Sequence, residues 1–330
     1  MNILYTTNDK FVAKVAASIC SVFENNKQEK DICIYIIGQG ISKENIHRFD
    51  KLQSKYNRRI EILEMKEVSD YLDFSFDTNG WNPIVLARLL LDKFLPEEVE
   101  KVLYIDGDTI NLASLAELWQ FDLQEKVLGG CIEATVSKKQ KIYLGMEKIP
   151  YINAGVLLID LKKWREEETG KRVLQFYQAN NGNLFANDQD AINGSLKGKI
   201  YYLPPKYNFY NIYWFYNYKT LKKLMGKADY YTKEVYNESV NNPAIIHYLG
   251  EERPWRKGNH HKYKKEYVKY LKLTPWKNEP EENGWETYFK CWDIFNRIVR
   301  PFPMLRYRII NGLIPFFMKW RKKQLKKERA

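Results

Sequence analysis

The chain is poor in the residues that staple a protein together or anchor it in a bilayer. Its 330 residues hold four cysteines, Cys20, Cys33, Cys131 and Cys291, and none forms a Cys-x-x-Cys pair. That argues against a zinc ribbon and a disulfide scaffold; three of the four stand in apolar runs and read as buried thiols. No stretch reaches the roughly 20 apolar residues that a membrane-spanning helix requires. The opening MNILYTTNDKF enters a strand pattern at once, without the basic segment, apolar core and cleavage site of a secretory leader. A reducing cytoplasm is therefore expected. Internal repeats and low-complexity linkers are missing before the carboxy-terminal segment. Acidic residues are nearly missing within it: from Arg297 to Ala330, Glu328 stands alone against eleven Lys or Arg. Most of the net charge of +12 belongs to that segment, so the main body needs no polyanionic partner.

What is present is a core. Hydrophobic residues make up 45% of the chain, and apolar runs alternate with amphipathic stretches. NILYT (2–6), ICIYIIG (32–38) and IEILEM (60–65) read as strands, separated by helical patterns over 11–25 and after Ser42. This βαβαβ order predicts an α/β fold, a mostly parallel sheet flanked by helices, whose ligands bind at the carboxyl ends of the strands. NPIVLARLLLDKFLP (82–96) reads as a helix. KVLYI, KVLGGCIEA (126–134) and AGVLLIDL (154–161) read as further strands. A helix is expected over 161–180, with a possible interruption at Gly170, and another from FANDQDAING. PAIIHYLG (243–250) reads as a last core strand.

The strand KVLYI ends in Asp106-Gly107-Asp108. A buried carboxylate is costly unless something compensates its desolvation. Two carboxylates at i and i+2, with Gly107 allowing a tight turn, suit either a surface turn or a hard divalent cation. His247, in an apolar strand, is by itself more often a core residue than a ligand; in a chain with Asp-x-Asp it becomes a metal candidate. Asp188, Gln189 and Asp190 stand at a helix start, where backbone N–H groups favour negative charge.

Six ordered stretches, ILYTTNDKFV, LARLLL, KVLYIDGDTI, INAGVLLIDL, ANDQDAIN and IIHYLG-x-x-RPW, together resemble glycosyltransferase family 8, over residues 2 to about 276. The resemblance implies a GT-A domain over 1–276; beyond it, the composition reads as a basic, aromatic helical extension over 277–330. The resemblance further implies a retaining transfer of galactose or glucose from a UDP-sugar to a glycan acceptor. Mn²⁺, with Mg²⁺ as the alternative, would be held by Asp106, Asp108 and His247. It places Thr6, Thr7, Asn8, Lys10, Arg88, Gly107, Ala154, Gly250 and Arg253 at the donor. Asn153, Asp188 and Gln189 fall around the transferred sugar, and Glu133 on the acceptor side. Gln189, an amide, is a poor nucleophile, which favours attack from the face of the leaving group over a double displacement. Asp188 or Asp190 would serve as nucleophile only after rearrangement.

Two stretches carry open alternatives. YNFYNIYWFYNY (207–218) suits an acceptor-binding aromatic platform or ordinary packing. The segment 292–330 interleaves apolar and basic residues. It suits the surface of an anionic membrane, docking on the main domain, or nucleic acid. The interspersed Ile, Phe, Leu and Trp favour lipid, and Pro315 is expected to break its apolar run. The expected location is thus peripheral, on the cytoplasmic face of the membrane. The acceptor expected there is a cell-envelope or lipid-linked glycan, or a protein-attached one. Two other functions fit the pattern: a self-glucosylating primer of the glycogenin type, and a membrane-associated nucleotide-sugar binding module without turnover.

Overall fold

The computed structural model describes residues 1–329, and side chains through residue 319. Its strands are β1 (Asn2–Asn8), β2 (Cys33–Gln39), β3 (Arg59–Met65), β4 (Lys101–Ile105), β5 (Thr109–Asn111), β6 (Leu128–Ile132), β7 (Ile152–Asp160), β8 (Ile200–Leu203) and β9 (Ile245–His247). Seven form one sheet in the order β3-β2-β1-β4-β7-β6-β8, and β5 pairs with β9 in a separate ribbon. The large sheet is mostly parallel; β7 alone runs against its neighbours β4 and β6. Alternate residues of each strand enter opposite cores. Ile3, Ile34, Leu103 and Val156 pack on one face of the sheet. Leu4, Tyr35, Val102 and Leu157 pack on the other. This is the period-two alternation of a sheet covered on both sides.

Helix Val12–Asn25 crosses from β1 to β2 and is buried along almost its whole length. Helix Lys43–Tyr56 is capped as its sequence indicates, with Ser42 Oγ accepting the Asn45 N–H. Several expectations need correction. The stretch 82–96 is mainly a 3₁₀ turn, Pro83–Leu90, followed by the short helix Leu91–Phe94. Its apolar residues are buried nearly all round rather than along one stripe, so an amphipathic helix does not form. The helix expected over 161–180 is two, Leu161–Glu166 and Thr169–Ala179, parted at Glu168 with φ +49°. Gly170 is not the break; it lies inside the second helix, where a Cβ would stand 3.1 Å from both Asp92 and Trp164. PAIIHYLG yields only β9, which leaves the large sheet to pair with β5. The strand β8 was not anticipated.

The carboxy-terminal segment forms helices Glu286–Val299 and Pro303–Arg329. Pro315 does not end the second. It stands on the exposed side, where water can satisfy the carbonyl that loses its partner. The pair is docked through Arg306, which is 5% exposed. Its guanidinium lies 3.6 Å from the Phe215 ring centre and donates to Tyr216 Oη at 2.9 Å and Asn296 Oδ1 at 3.1 Å. The basic side chains from Arg321 onward lie outside the described residues. His260 and His261 both read as solvated in the sequence. His261 is instead buried, its ring 4.7 Å from that of Tyr248, and burial pushes its pKa down to about 3.

Candidate active site

The order of strands reverses direction between β1 and β4, and the main cleft opens at their carboxyl ends, the usual crevice of such a sheet. Asp106 follows β4 and Asp108 precedes β5. Gly107 between them has no positive φ; a Cβ there would meet Val15 Cγ2 at 2.5 Å. The glycine is therefore required by close approach of helix Val12–Asn25, not by the tightness of the turn. The β5–β9 ribbon sets Thr109 opposite His247, and Tyr248 N–H donates to Asp108 O at 2.9 Å. That ribbon brings a histidine remote in sequence against the two aspartates. Gly155, on β7, leaves room for the imidazole: a Cβ there would fall 2.2 Å from His247 Cε1.

Asp106, Asp108 and His247 offer ligand atoms all within 4.8 Å of one another. His247 Nε2 lies 3.2 Å from Asp108 Oδ1 and 3.7 Å from Asp106 Oδ2. The fit to a cation follows from the other side of the ring. Asn208 Nδ2 donates to Asn153 Oδ1 at 2.9 Å, which turns Asn208 Oδ1 toward His247 Nδ1, 2.8 Å away. Nδ1 then carries the proton, and the buried Nε2, which has no hydrogen-bond partner, aims its lone pair at two carboxylates. A cation between them resolves that repulsion. Burial opposes ionisation of Asp108, and the Arg253 guanidinium beside it favours the charged form. Nitrogen with two carboxylates suits Mn²⁺ and tolerates Mg²⁺.

Beneath the aspartates lies Arg88, 7% exposed. It pairs with Asp106 Oδ1 at 3.0 Å and Asp188 Oδ2 at 2.7 Å, donates to Ala154 O at 2.6 Å, and covers the Tyr104 ring at 4.5 Å. Burial disfavours its charge, but the two carboxylates outweigh that and raise its pKa. Tyr104 Oη donates to Asp106 Oδ1 at 2.6 Å. Asp188 is pushed up to about 6, chiefly by burial, against the pull of Arg88. Gln189 Oε1 accepts the Ala154 N–H at 2.9 Å, and its Nε2 faces Tyr151 Oη at 3.1 Å and Glu133 Oε2 at 3.4 Å. Asn153 Nδ2 donates to Glu133 Oε2 at 3.0 Å, and burial raises the Glu133 pKa. Asp190 faces away from the cleft. It accepts from Tyr151, Gln140 and the Ala186 N–H, and so anchors the start of helix Asn187–Ser195.

The cleft, about 1050 Å³, is lined by every site residue singled out in the sequence except Ala154 and Asp190. Ala154 is buried below it and acts through its backbone, holding Gln189 and Arg88. Thr6, Thr7, Asn8 and Lys10 line one end, where Asn8 Oδ1 is buried without a partner. Gly250, at φ +75°, turns the chain so that Arg253 reaches Asp108 Oδ2 at 3.3 Å. The aromatic run 207–218 is not a platform in this cleft: Tyr207, Phe209, Tyr210 and Tyr213 are buried in the core, and none of the run lines the opening. The aromatic wall comes from helix Glu286–Val299, with Tyr288, Trp292 and Phe295. Asn208, Gly155, Tyr104 and Tyr151 were not singled out in the sequence. Asn208 lies in the aromatic run and Gly155 in an apolar strand, and neither shows a local signal.

Comparison with known proteins agrees with this geometry. The model of glycosyl transferase family 8 matches residues 2–258. General stress protein A of Bacillus subtilis is 26% identical over 84% of this chain and 94% of its own length. A lipopolysaccharide 1,2-glucosyltransferase of Escherichia coli K12 is 26% identical over 84% of this chain and 80% of its own. Among solved structures, the galactosyltransferase LgtC, in complex with donor and acceptor sugar analogues, superposes with a TM-score of 0.70. It is 24% identical, and the match covers 83% of this chain and 96% of that one, a likeness that establishes the GT-A fold. With the family model spanning most of the chain, the protein belongs to glycosyltransferase family 8 and is a glycosyltransferase.

Proposed function

We propose that the protein transfers galactose or glucose from a UDP-sugar to a glycan acceptor with retention at the anomeric carbon. The convergence of Asp106, Asp108 and the unpartnered Nε2 of His247 carries this reading. These three residues would hold Mn²⁺, which when bound supplies Lewis-acid neutralisation of charge developing on the diphosphate. The chain's own groups do the rest. Arg253, released from Asp108, contacts phosphate bidentately. Asn8 Oδ1, buried and unpartnered, accepts a hydrogen bond from the base. Arg88 keeps Asp106 and Asp188 aligned as anions. Asp188 accepts hydrogen bonds from hydroxyls of the transferred sugar.

Front-face attack fits the surroundings of the reacting carbon. Asp188 is tied to Arg88 and Asp190 to Tyr151 and Gln140, so neither is free to attack. Gln189, its amide fixed by Ala154 and Tyr151, stabilises positive charge at the anomeric centre, while Glu133 and Asn153 orient the acceptor hydroxyl. The departing phosphate takes the acceptor's proton. A membrane-surface location agrees with the exposed Ile294, Ile298, Leu305 and Phe316 of the carboxy-terminal helices and Phe302 between them. Among the described residues no helix is long and apolar enough to cross a membrane. On this reading 1–276 is the catalytic domain, 277–330 is the membrane-associating extension, and the acceptor is a cell-envelope, lipid-linked or protein-attached glycan. The test is a screen of UDP-hexoses for Mn²⁺-dependent release of UDP. Asp106→Asn or Asp108→Asn is expected to lower release at least about a hundredfold, by loss of a metal ligand. Release that persists in both variants would overturn the assignment.

A further inference from the structure

Resting on the reading of this cleft as the transfer site, we propose that its outer wall is a hydrocarbon subsite. There, helices Glu286–Val299 and Pro303–Arg329 bind the aliphatic chain of an amphiphilic acceptor. The cleft has two unlike walls. One carries the carboxylates, His247 and the end of β1; the other is largely apolar, and the helix pair supplies Trp292, Phe295, Ile310, Leu313, Ile314 and Phe317 to it. A nucleotide-sugar and an acceptor hydroxyl need the first wall. Neither has use for the second, because desolvating polar groups against an apolar surface is unfavourable.

The chemistry of the second wall selects a chain over a sugar ring. Sugar recognition by stacking needs an open aromatic face. Trp292 is stacked by Tyr288 at 6.0 Å and by Phe295 at 5.3 Å, and the Arg306 guanidinium stands 5.6 Å from its centre. Its faces are committed to these neighbours. The second helix contributes Ile310, Leu313, Ile314 and Phe317, spaced i, i+3, i+4 and i+7 on one face. Apolar groups at that spacing, three aliphatic and one aromatic, form a continuous strip with no hydrogen-bonding side chain. The strip also leads outward: Leu313, in the cleft, is 54% exposed, and Phe316, just beyond, is 71% exposed. The strip thus lines the same cleft as the carboxylates and continues to the surface read as facing lipid. The Arg306 contacts hold it against the main domain. An alkyl or isoprenoid chain entering from a bilayer would follow that strip with its glycan ahead of it.

Cys291 provides the probe. It lines the cleft and is exposed, whereas Cys20, Cys33 and Cys131 are buried. The rate of its alkylation by N-ethylmaleimide in the full-length protein, read by intact mass, reports occupancy without turnover. Methyl, octyl and dodecyl β-D-glucosides are compared below micelle formation. The expected result is protection that grows with chain length. Dodecyl should protect at a concentration at least about tenfold lower than octyl, given roughly 0.8 kcal/mol per buried methylene. Ile314→Asp should abolish that dependence, and Ile298→Asp, 67% exposed and outside the cleft, should keep it. If Ile314→Asp does not fold, Leu313→Ser replaces it. Protection independent of chain length, or unchanged by both cleft variants, would overturn the proposal. A protein that releases no UDP from any UDP-hexose would instead sink the donor reading and leave this measurement interpretable.

Discussion

A methyl group at Gly155 would overlap the imidazole of His247. Gly155→Ala is thus expected to tilt the ring off the aspartates while leaving the sheet intact. Mn²⁺ affinity should fall at least about tenfold by calorimetry, as for disruption of a ligand's support. Asp188 gives a pH signature. Its pKa rises from 3.8 unfolded to about 6 folded, so its contribution to stability is largest below pH 3.8 and is lost as pH rises through 6. The stability difference between the metal-free protein and its Asp188→Asn variant should therefore shift against the wild type between pH 4 and 7. The ceiling of that shift is about 3 kcal/mol, measured by urea unfolding at each pH. At this scale the sequence was informative wherever a side chain's chemistry was out of place: two aspartates after an apolar strand, a histidine inside one. It was silent where function is borrowed from space or orientation. Gly155 matters for the atom it lacks, and Asn208 for the way Asn153 turns its amide.

Among the elements, the two carboxy-terminal helices meet the main domain at several points, Arg256 on Trp285 and Lys257 at Glu286 among them, and Arg306 is the most buried of their described cations. Arg306 combines a cation–π stack on Phe215 with hydrogen bonds to Tyr216 and Asn296. Arg306→Ala is expected to cost about 2 kcal/mol through those contacts and to expose residues 300–319 to trypsin, seen as early cleavage in a time course. Unaltered cleavage would mean that the apolar contacts suffice. The central strands were legible because burial on alternate faces leaves long apolar runs. β8 escaped notice because four residues, IYYL, make too short a run to stand out. The stretch 82–96 misled for a related reason: its apolar residues carry no period that separates an α-helix from a 3₁₀ turn when all sides are buried. Pro315 misled because the rule against proline in helices assumes a carbonyl with no water to replace its partner.

For the molecule as a whole, the docking of the helix pair redraws the line between the cleft and the extension proposed to meet the membrane. A deletion from Arg297 would remove Arg306 and half of the apolar wall, so it would not isolate membrane binding. A deletion of 321–330 separates the two. It removes six basic residues and one acid, all beyond the described side chains. At about 1 kcal/mol for each basic residue near an anionic surface, sedimentation with phosphatidylglycerol vesicles should weaken at least about a hundredfold. UDP release should stay within about twofold. The segment's composition pointed to lipid, but composition does not show that its first half folds back over the cleft.

The ribbon of β5 and β9 has one more implication. Thr109 and His247 meet only after nearly all of the α/β sheet has been synthesised. On the proposed reading, a polypeptide cut short between residues 109 and 246 would carry both aspartates and lack the third ligand. If the three residues hold the ion as proposed, such chains should bind it more weakly than the full-length protein, a difference that calorimetry of a chain ending before His247 would read.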